Sequence, residues 1–236
     1  GVLINFALYL FLPFLDSGIR NYIVYTKKVI NHKSETKSII IPAKNEEGNL
    51  DELISRIPNF REELEILIIC GKSKDKTYEK SLELQKKYLD KKIIVKKQSK
   101  DGKANAVWEG LRQSSNKVIA ILDSDLSVDP ETLTDFFEII DSGNADFVNG
   151  TRLIYKMEDG AMRSLNKIGN RIFQFMISKL ISVHISDSLC GTKVFKKNNI
   201  DHLYSWQNKM YFKDPFCDFD LIFSTAYSSK IIVEYP

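Results

Sequence analysis

In Val118-Ile119-Ala120-Ile121-Leu122-Asp123-Ser124-Asp125, an apolar run stops at two carboxylates one residue apart. A short continuous apolar run is typical of a parallel strand that is buried on both faces. The end of this strand would present Asp123 and Asp125 to a cleft. Such a pair suits a divalent cation that carries a diphosphate, which predicts an enzyme acting on a nucleotide-linked substrate.

Short apolar runs alternate with helical periods from Ser38 onward, which indicates an α/β domain with a mostly parallel central sheet flanked by helices. The predicted strands are Ser38–Ala43, Glu65–Ile69, Ile93–Lys96, Val118–Leu122, Phe147–Asn149, Thr192–Lys196 and a last one from Ile231. The predicted helices with defined bounds are Leu50–Ile57, Thr77–Tyr88, Lys103–Gln113, Ala161–Ile181 and Asp218–Ser228. Asn49 and Glu52 have the form of a capping box for the first of them. One more helix is predicted after Asp129, its expected cap, with Leu133, Phe136, Phe137 and Ile140 on its buried face.

Residues 1–36 form an apolar segment and linker of different character. Val2–Leu15 is shorter than the ~20 apolar residues of a spanning helix and lacks the features of a signal peptide. Three interpretations stay open: the end of a membrane helix, an interfacial helix, or the last elements of a preceding domain. We expect residues 37–236 to form the main domain, shortened at its C-terminal end because Ile231–Pro236 is a predicted strand with nothing after it.

The composition excludes several classes of protein. A net charge of +3 over 236 residues, without a recognition motif, predicts no nucleic-acid partner. Cys70, Cys190 and Cys217 are far apart, which favours a reducing cytosolic compartment over a disulfide framework or a zinc site. Lysines are frequent over residues 86–103; this is typical of a solvated face, with an anionic membrane or phosphate-rich surface as the alternative.

The loops that follow the predicted strands are the place where a ligand binds in an open parallel sheet. Neither a Walker loop nor a Gly-x-Gly-x-x-Gly fingerprint is present. Asp129 supplies the cap of the next helix, so Asp123 and Asp125 have no structural role, and two close carboxylates repel unless a cation neutralises them. We therefore predict that both bind Mg²⁺ or Mn²⁺, the alternative being a turn or a helix cap.

Four loop motifs follow one another along the chain: Pro42-Ala43-Lys44-Asn45-Glu46-Glu47, Gly71-Lys72-Ser73-Lys74-Asp75-Lys76-Thr77, Gly102-Lys103-Ala104-Asn105-Ala106 and Leu122-Asp123-Ser124-Asp125-Leu126. A second set comprises Asn149-Gly150-Thr151-Arg152, Arg163–Asn170, Asp187-Ser188-Leu189-Cys190-Gly191-Thr192 and Asp218-Phe219-Asp220. In this order the motifs resemble the family 2 glycosyltransferases of GT-A fold over about residues 38–236. The second set is similar to the dolichyl-phosphate mannose synthase-like subgroup.

The resemblance implies a Rossmann-like nucleotide-binding half, an acceptor half and a role for each matched residue. The implied nucleotide-sugar-binding residues are Pro42, Ala43, Asn45, Glu46, Cys70, Lys103, Asp123 and Asp125. The implied acceptor or phosphate-binding residues are Arg152, Arg163 and Asp187, and the implied catalytic residues are Asp125, Asp218, Asp220 and Arg152. Alternatives stay open: the arginines as surface cations, Lys103 as a helix-start lysine and Asp187 as a turn residue.

Three positions depart from the family's pattern. Cys70 stands where the family has an acidic residue, Lys76 where it has glycine, and Ser127 where many polyprenyl-phosphate sugar synthases have glutamine. These departures leave the nucleotide base and the metal geometry open. They also leave open a non-catalytic relative that binds a sugar nucleotide.

The implied reaction is an inverting transfer of a hexose from a UDP- or GDP-linked donor to a polyprenyl phosphate. A glycan or other hydroxyl acceptor, in cell-surface polysaccharide synthesis, is the alternative, and it would need Asp218 or Asp220 as a general base. A nucleotidyltransferase acting on sugar phosphates is a further alternative. It predicts a glycine-rich loop after the first strand, which this chain lacks.

We expect a peripheral location at the cytoplasmic face of the membrane. Arg163, Lys167 and Arg171 recur every four residues, so they share one side of a predicted amphipathic helix that also carries Phe175. The alternative interpretation is a helix that packs on the core with one side exposed to solvent. The segment around Arg20 is similar to linkers that follow a methyltransferase-like domain in bacterial proteins, which predicts a fused or preceding domain of that kind.

Overall fold

The structure is a computed structural model that describes residues 34–151, 174–209 and 214–236, with the backbone alone for 207–209. The described residues belong to one compact unit, His32–Pro236. The predicted apolar segment Val2–Leu15 lies outside them. Within the described ranges, no helix combines the length and the apolar character needed to cross a membrane.

A seven-stranded sheet forms the middle of the unit, in the order β3-β2-β1-β4-β6-β5-β7. Its strands are β1 (Lys37–Ala43), β2 (Leu64–Cys70), β3 (Lys92–Lys97), β4 (Val118–Ile121), β5 (Phe147–Gly150), β6 (Lys193–Lys196) and β7 (Ile232–Tyr235). Among these strands only β6 is antiparallel to its neighbours, β4 and β5. The predicted α/β class with a mostly parallel sheet is therefore confirmed.

Helices cover both faces of the sheet. They are α1 (Leu50–Arg56), α2 (Thr77–Lys87), α3 (Lys103–Gln113), α4 (Leu133–Asp141), α5 (174–181), α6 (Ile200–Lys209) and α7 (Asp218–Tyr227). Of the predicted helix Ala161–Ile181, only residues 174–181 lie within the described ranges, and they are helical. Helix α6 was not predicted, because its buried side chains Ile200 and Leu203 are too few to give a clear helical period.

Alternate residues of each strand face two separate apolar cores, as strand geometry requires. Ile39 and Ile41 of β1 pack with side chains of α1, α2 and α4. Ile40 packs on the opposite face with side chains of α3, α6 and α7. The unit is thus a three-layer sandwich, with helices on both sides of the sheet.

Asn49 and Asp129 stand at the predicted N-cap positions, but neither side chain makes the expected cap bond. The side chain of Asn49 makes no cap bond; its Nδ2 donates to Oε2 of Glu46 at 2.8 Å. Asp129 does stand at the start of a short 3₁₀ turn, Pro130–Thr132, but its carboxylate accepts from Nη2 of Arg56 at 2.6 Å. In both cases the side chain bonds to another side chain instead of to a backbone N–H of the helix. The partner of Asn49 is Glu46, just before α1, and the partner of Asp129 is Arg56, on α1.

Helix α3 lies unusually close to β1. A Cβ atom on Gly110 would stand 2.4 Å from Cγ2 of Ile40, a side chain that is completely buried. Only glycine permits this distance. The close packing fixes the position of the helix whose first residue, Lys103, reaches the ligand cleft.

We expect Gly110→Ala to destabilise the fold by about 1–2 kcal/mol, because overpacking outweighs the gain of about 1 kcal/mol that alanine brings to a helix. Urea unfolding followed by circular dichroism measures the difference. Gly48→Ala is the matched control, since a Cβ there meets nothing within 4 Å. Equal free energies of unfolding for the two variants would contradict the close packing.

Candidate active site

The loops after β1, β2 and β3 start side by side at one edge of the sheet. The backbone N–H of Gly71 donates to the carbonyl of Ala43 at 2.8 Å, and that of Gln98 donates to the carbonyl of Cys70 at 2.9 Å. These bonds continue the parallel ladder beyond the strands. The first residues of these loops therefore keep the register of the strands at the carboxyl end of the sheet.

Asn45 connects the first loop to the second. Its backbone N–H donates to Oγ of Ser73 at 3.0 Å, and its Oδ1 accepts from the N–H of Lys74 at 2.7 Å. Asn45 has a φ of 59°, a left-handed conformation that asparagine tolerates better than most residues. Its described bonds give it a positioning role in the predicted nucleotide loop.

Asp75 and Thr77 complete the connection between the two loops. Asp75 accepts from the backbone N–H of Glu47 at 3.2 Å and from the N–H and hydroxyl of Thr77. Oγ1 of Thr77 in turn accepts from the N–H of Glu46 at 2.9 Å. The pKa of Asp75 is lowered, most of all by the hydrogen bond from the hydroxyl of Thr77 and further by these N–H groups. Burial raises the pKa, but by less than the hydrogen bonds together lower it.

A cavity of about 220 Å³ lies at the meeting point of the loops. Its lining consists of Pro42, Ala43, Lys44, Glu46, Gln98, Gly102, Lys103, Ala106, Asp123, Ser124 and Asp125. Most residues with a predicted role in nucleotide-sugar binding are thus brought together here. The exceptions, Asn45 and Cys70, do not line this cavity.

The carboxylates of the acidic pair have different surroundings. Oδ1 of Asp123 lies 2.6 Å from Nζ of Lys103. Its Oδ2 faces the backbone of Gly191, where an added Cβ would stand only 1.9 Å away. Asp125 is exposed, and its Oδ1 accepts from the backbone N–H of Ser127 at 3.0 Å. The turn alternative thus describes part of what Asp125 does.

Lys103 is a charged group inside the cleft. Burial, the largest single effect, lowers its pKa, but Asp123, Asp218 and Asp125 together raise the pKa above its ordinary value. Gly102, with a φ of 107°, precedes Lys103 and lets the chain turn into α3. The ammonium group is therefore held protonated beside Asp123.

The oxygen atoms of Asp123 and Asp125 suit Mg²⁺ or Mn²⁺, which prefer hard ligands and commonly take further oxygens from phosphate and water. Within the described ranges, no group of three or more His, Cys, Asp or Glu side chains could hold a metal ion by itself. Asp125 is the more accessible carboxylate of the two.

Cys70 lines a second cavity, of about 570 Å³, between the loops after β2 and β3. Its thiol is buried and lies 3.3 Å from Oγ of Ser81 on α2. Burial raises the pKa of this thiol. The charged wall of the same cavity includes Lys97, whose Nζ stands 4.1 Å from the ring centre of Tyr78.

Asp218 and Asp220 open helix α7, and both are buried. Oδ1 of Asp218 accepts from Nζ of the fully buried Lys193 at 2.8 Å. Cys217 is the N-cap residue, and Oδ2 of Asp214 accepts from the N–H groups of Phe219 and Asp220 in the first turn. Asp214 was missed by the sequence reasoning, although an Asp-Pro pair just before a helix is a recognisable turn signal.

Asp187 lies in a turn that is anchored from β7. Oδ1 of Asp187 accepts from the N–H of Leu189 at 3.2 Å, as the turn alternative expects. Glu234, which the sequence reasoning also missed, accepts from the N–H groups of Ser186 at 2.8 Å and Asp187 at 3.3 Å, and from Nδ2 of Asn149. Of the other predicted acceptor residues, Arg152 and Arg163 lie outside the described residues.

The fold and the cleft define a class of protein, the GT-A glycosyltransferases. A crystal structure of glucosyl-3-phosphoglycerate synthase from Mycobacterium tuberculosis, in complex with Mn²⁺, UDP and phosphoglyceric acid, matches with a TM-score of 0.63 at 16% identity, over 85% of this chain and 68% of that chain. The same enzyme with Mg²⁺ and UDP matches with a TM-score of 0.61 at 15% identity, over the same shares. At this identity the likeness establishes the fold.

The chain belongs to glycosyl transferase family 2, whose family model matches residues 38–216. A dolichol-phosphate mannosyltransferase of Pyrococcus furiosus is 37% identical over 119 residues, which are 50% of this chain and 33% of that protein. The low-salt glycan biosynthesis hexosyltransferase Agl6 of Haloferax volcanii is 26% identical over 69% of this chain and 39% of its own length. The chain thus matches a third or slightly more of these relatives. The family expected from the motifs is confirmed.

We expect Thr77→Val to raise the pKa of Asp75 towards its ordinary value, because valine cannot donate to the carboxylate. A lowered folded pKa means that Asp75 stabilises the loops above about pH 3.9, and that this contribution is lost as the pH falls through the lowered value. NMR titration of the Asp75 carboxyl carbon measures the shift. The control is Thr132→Val, because the hydroxyl of Thr132 donates to the backbone carbonyl of Asp129 and not to Asp75. The titration midpoint of Asp75 should stay unchanged in this control. An unchanged midpoint in Thr77→Val would be the contrary result.

Proposed function

We propose that this chain is the catalytic part of an inverting, metal-assisted hexosyltransferase. It moves a hexose from a UDP- or GDP-linked donor to a polyprenyl phosphate at a membrane surface. The observation that carries the proposal is the convergence of Glu46, Lys103, Asp123 and Asp125 on one cavity in a member of glycosyl transferase family 2.

The cavity has the charge pattern that a nucleoside diphosphate requires. Lys44 and Lys103 supply positive charge for phosphate oxygens, and the N-terminus of α3 begins at the cavity wall. Glu46 offers a carboxylate for a ribose hydroxyl. When bound to Asp125 and Asp123, Mg²⁺ or Mn²⁺ would supply further positive charge for the diphosphate.

The transfer is a single in-line displacement. An oxygen of the acceptor phosphate attacks the anomeric carbon, the bond from that carbon to the donor phosphate breaks, and its electron pair leaves with the nucleoside diphosphate. Lys103, protonated and fixed at the start of α3, opposes the charge that develops on the leaving group. Because a phosphate acceptor is already anionic, no general base is needed.

Two observations support a lipid-linked acceptor. The relative from Pyrococcus furiosus is named a dolichol-phosphate mannosyltransferase and is 37% identical over the matched half of this chain. Helix α5 also exposes Phe175, Met176 and Leu180 beside Lys179, a mixture of apolar and cationic side chains that suits a membrane interface. We propose that the enzyme works as a peripheral protein, at the cytoplasmic face.

A hydroxyl acceptor is the second candidate, favoured by the position of Asp218. Its charge contributes to raising the pKa of Lys103, so it lies near that lysine, and Asp218, or Asp220 on the same helix, would then act as the proton acceptor. The relative from Haloferax volcanii is named for glycan biosynthesis. In this case the hexose would pass to a sugar hydroxyl of a cell-surface glycan. The nucleotidyltransferase alternative has no support from the family.

We expect UDP or GDP to bind the wild-type chain in a Mn²⁺-dependent way, and Asp125→Asn to weaken that binding about tenfold or more by removing a ligand charge. Isothermal titration calorimetry with and without Mn²⁺ measures both. Asp129→Asn is the matched control, an exposed carboxylate of the same segment that pairs with Arg56. Equal, metal-independent binding by the wild type and Asp125→Asn would refute the metal-assisted transferase.

We expect hexose transfer to a short polyprenyl phosphate, and none to the matching polyprenol, because the alcohol lacks the anionic nucleophile. A screen of UDP- and GDP-linked hexoses, with product detection by mass spectrometry, measures this and identifies the donor. Transfer to a soluble sugar hydroxyl alone would overturn the lipid-linked acceptor and favour the second candidate. Donor binding without any transfer would indicate a non-catalytic relative.

A further inference from the structure

The ion pair of Lys103 and Asp123 lines the proposed donor cavity. The two side chains are 26% and 19% exposed, and 2.6 Å separates Nζ from Oδ1. The second oxygen of Asp123 packs against Gly191, at a distance that no side chain on that residue would allow. Both oxygens of this carboxylate are therefore in contact with the protein itself.

Asp125 provides the contrast. It is exposed, and among the described residues its hydrogen bond is the one that Oδ1 accepts from the N–H of Ser127. Its second oxygen can meet a cation without displacing any protein group. One carboxylate of the pair is thus open, whereas the other already has a cation as its partner.

The backbone of Lys103 is fixed while its side chain has alternative partners. The next residue, Ala104, donates its N–H to the carbonyl of Pro215 at 3.1 Å, which ties the start of α3 to the segment before α7. Asp218 also attracts Lys103, yet Asp218 is held by Lys193 at 2.8 Å. Lys103 therefore has a fixed origin and can exchange Asp123 for a ligand phosphate.

We propose that Lys103 is a built-in counter-ion that keeps Asp123 from binding a divalent cation until the nucleoside diphosphate arrives. This inference rests on the proposed function. The incoming diphosphate brings the metal and at the same time offers Lys103 a new anionic partner. Asp123 is then released to complete the ligands of the cation. The metal binds weakly without nucleotide, and the two ligands bind with positive coupling.

The test is Mn²⁺ binding in the absence of nucleotide, followed by the electron paramagnetic resonance signal of free Mn²⁺. Lys103→Met frees Asp123 and removes a repelling charge, so we expect it to bind Mn²⁺ about tenfold more tightly than the wild type. Lys44→Met is the matched control. It removes an exposed lysine from the same cavity, and we expect a change of about twofold or less because no bond to Asp123 is lost.

A double-mutant cycle with Asp123→Asn separates the proposed contact from a general effect of charge. In the Asp123→Asn background, Lys103→Met should change Mn²⁺ affinity by about twofold or less, because its partner is already gone. Equal gains in both backgrounds, or no gain in the wild-type background, would overturn the proposal. Lys103→Gln serves as a second variant if thermal unfolding shows that Lys103→Met is not folded.

Calorimetry of UDP and GDP with Mn²⁺ on the same proteins keeps the two proposals apart. If the wild type binds no nucleotide with metal, the proposed function fails, whatever the Lys103 variants do. If the wild type binds the nucleotide with metal but Lys103→Met shows no gain for Mn²⁺ alone, only the counter-ion role fails. The expected result is weaker nucleotide binding by Lys103→Met, together with tighter binding of Mn²⁺ by itself.

Discussion

The parallel pairing of β1 with both β2 and β4 is the constraint on which the rest of the structure depends. Ile40 stands opposite Leu67 on one side and Ile121 on the other, so the strands run in the same direction in the centre of the sheet. Their carboxyl ends must then lie at one edge. The loops that hold Asn45, Asp75 and Asp123 meet for this reason, although 78 positions separate the first from the last.

Two buried lysines of this unit are paired with carboxylates, which offsets the cost of burying their charge in a low dielectric. Lys37, the first residue of β1, pairs with Asp141 at 3.1 Å, and Lys193 of β6 pairs at 2.8 Å with Asp218, the first residue of α7. These pairs are closed within the protein and serve the fold. The pair of Lys103 and Asp123 is different, because it lies in a cavity where phosphates and a cation would compete for both partners.

The sequence predicted the strands well, since they depend on local patterns, and it predicted that Asp123 and Asp125 follow one of them. The apolar run before Asp123 has the pattern that is typical of a buried strand, and the motif order then indicated the family. It predicted caps less well. Asn49 and Asp129 have the residue types of helix caps, yet Glu46 and Arg56 take their side chains. Arg56 comes from another helix, 73 positions from Asp129, so no local pattern reveals that partner.

The sequence by itself determined the fold class, the family and the residue types of the cleft. The apolar pattern of the strands, the order of the loop motifs and the spacing of the two aspartates can each be recognised in short stretches of sequence. The tertiary structure alone decided how those residues are used. In the folded protein, Nζ of Lys103 lies 2.6 Å from Oδ1 of Asp123, and the backbone of Gly191 packs against Oδ2 of the same carboxylate. Asp125 stays exposed. The physical reason is that charge pairing depends on distance in space. Residues 20 or more positions apart in the chain come within that distance only when the sheet and α3 are packed together.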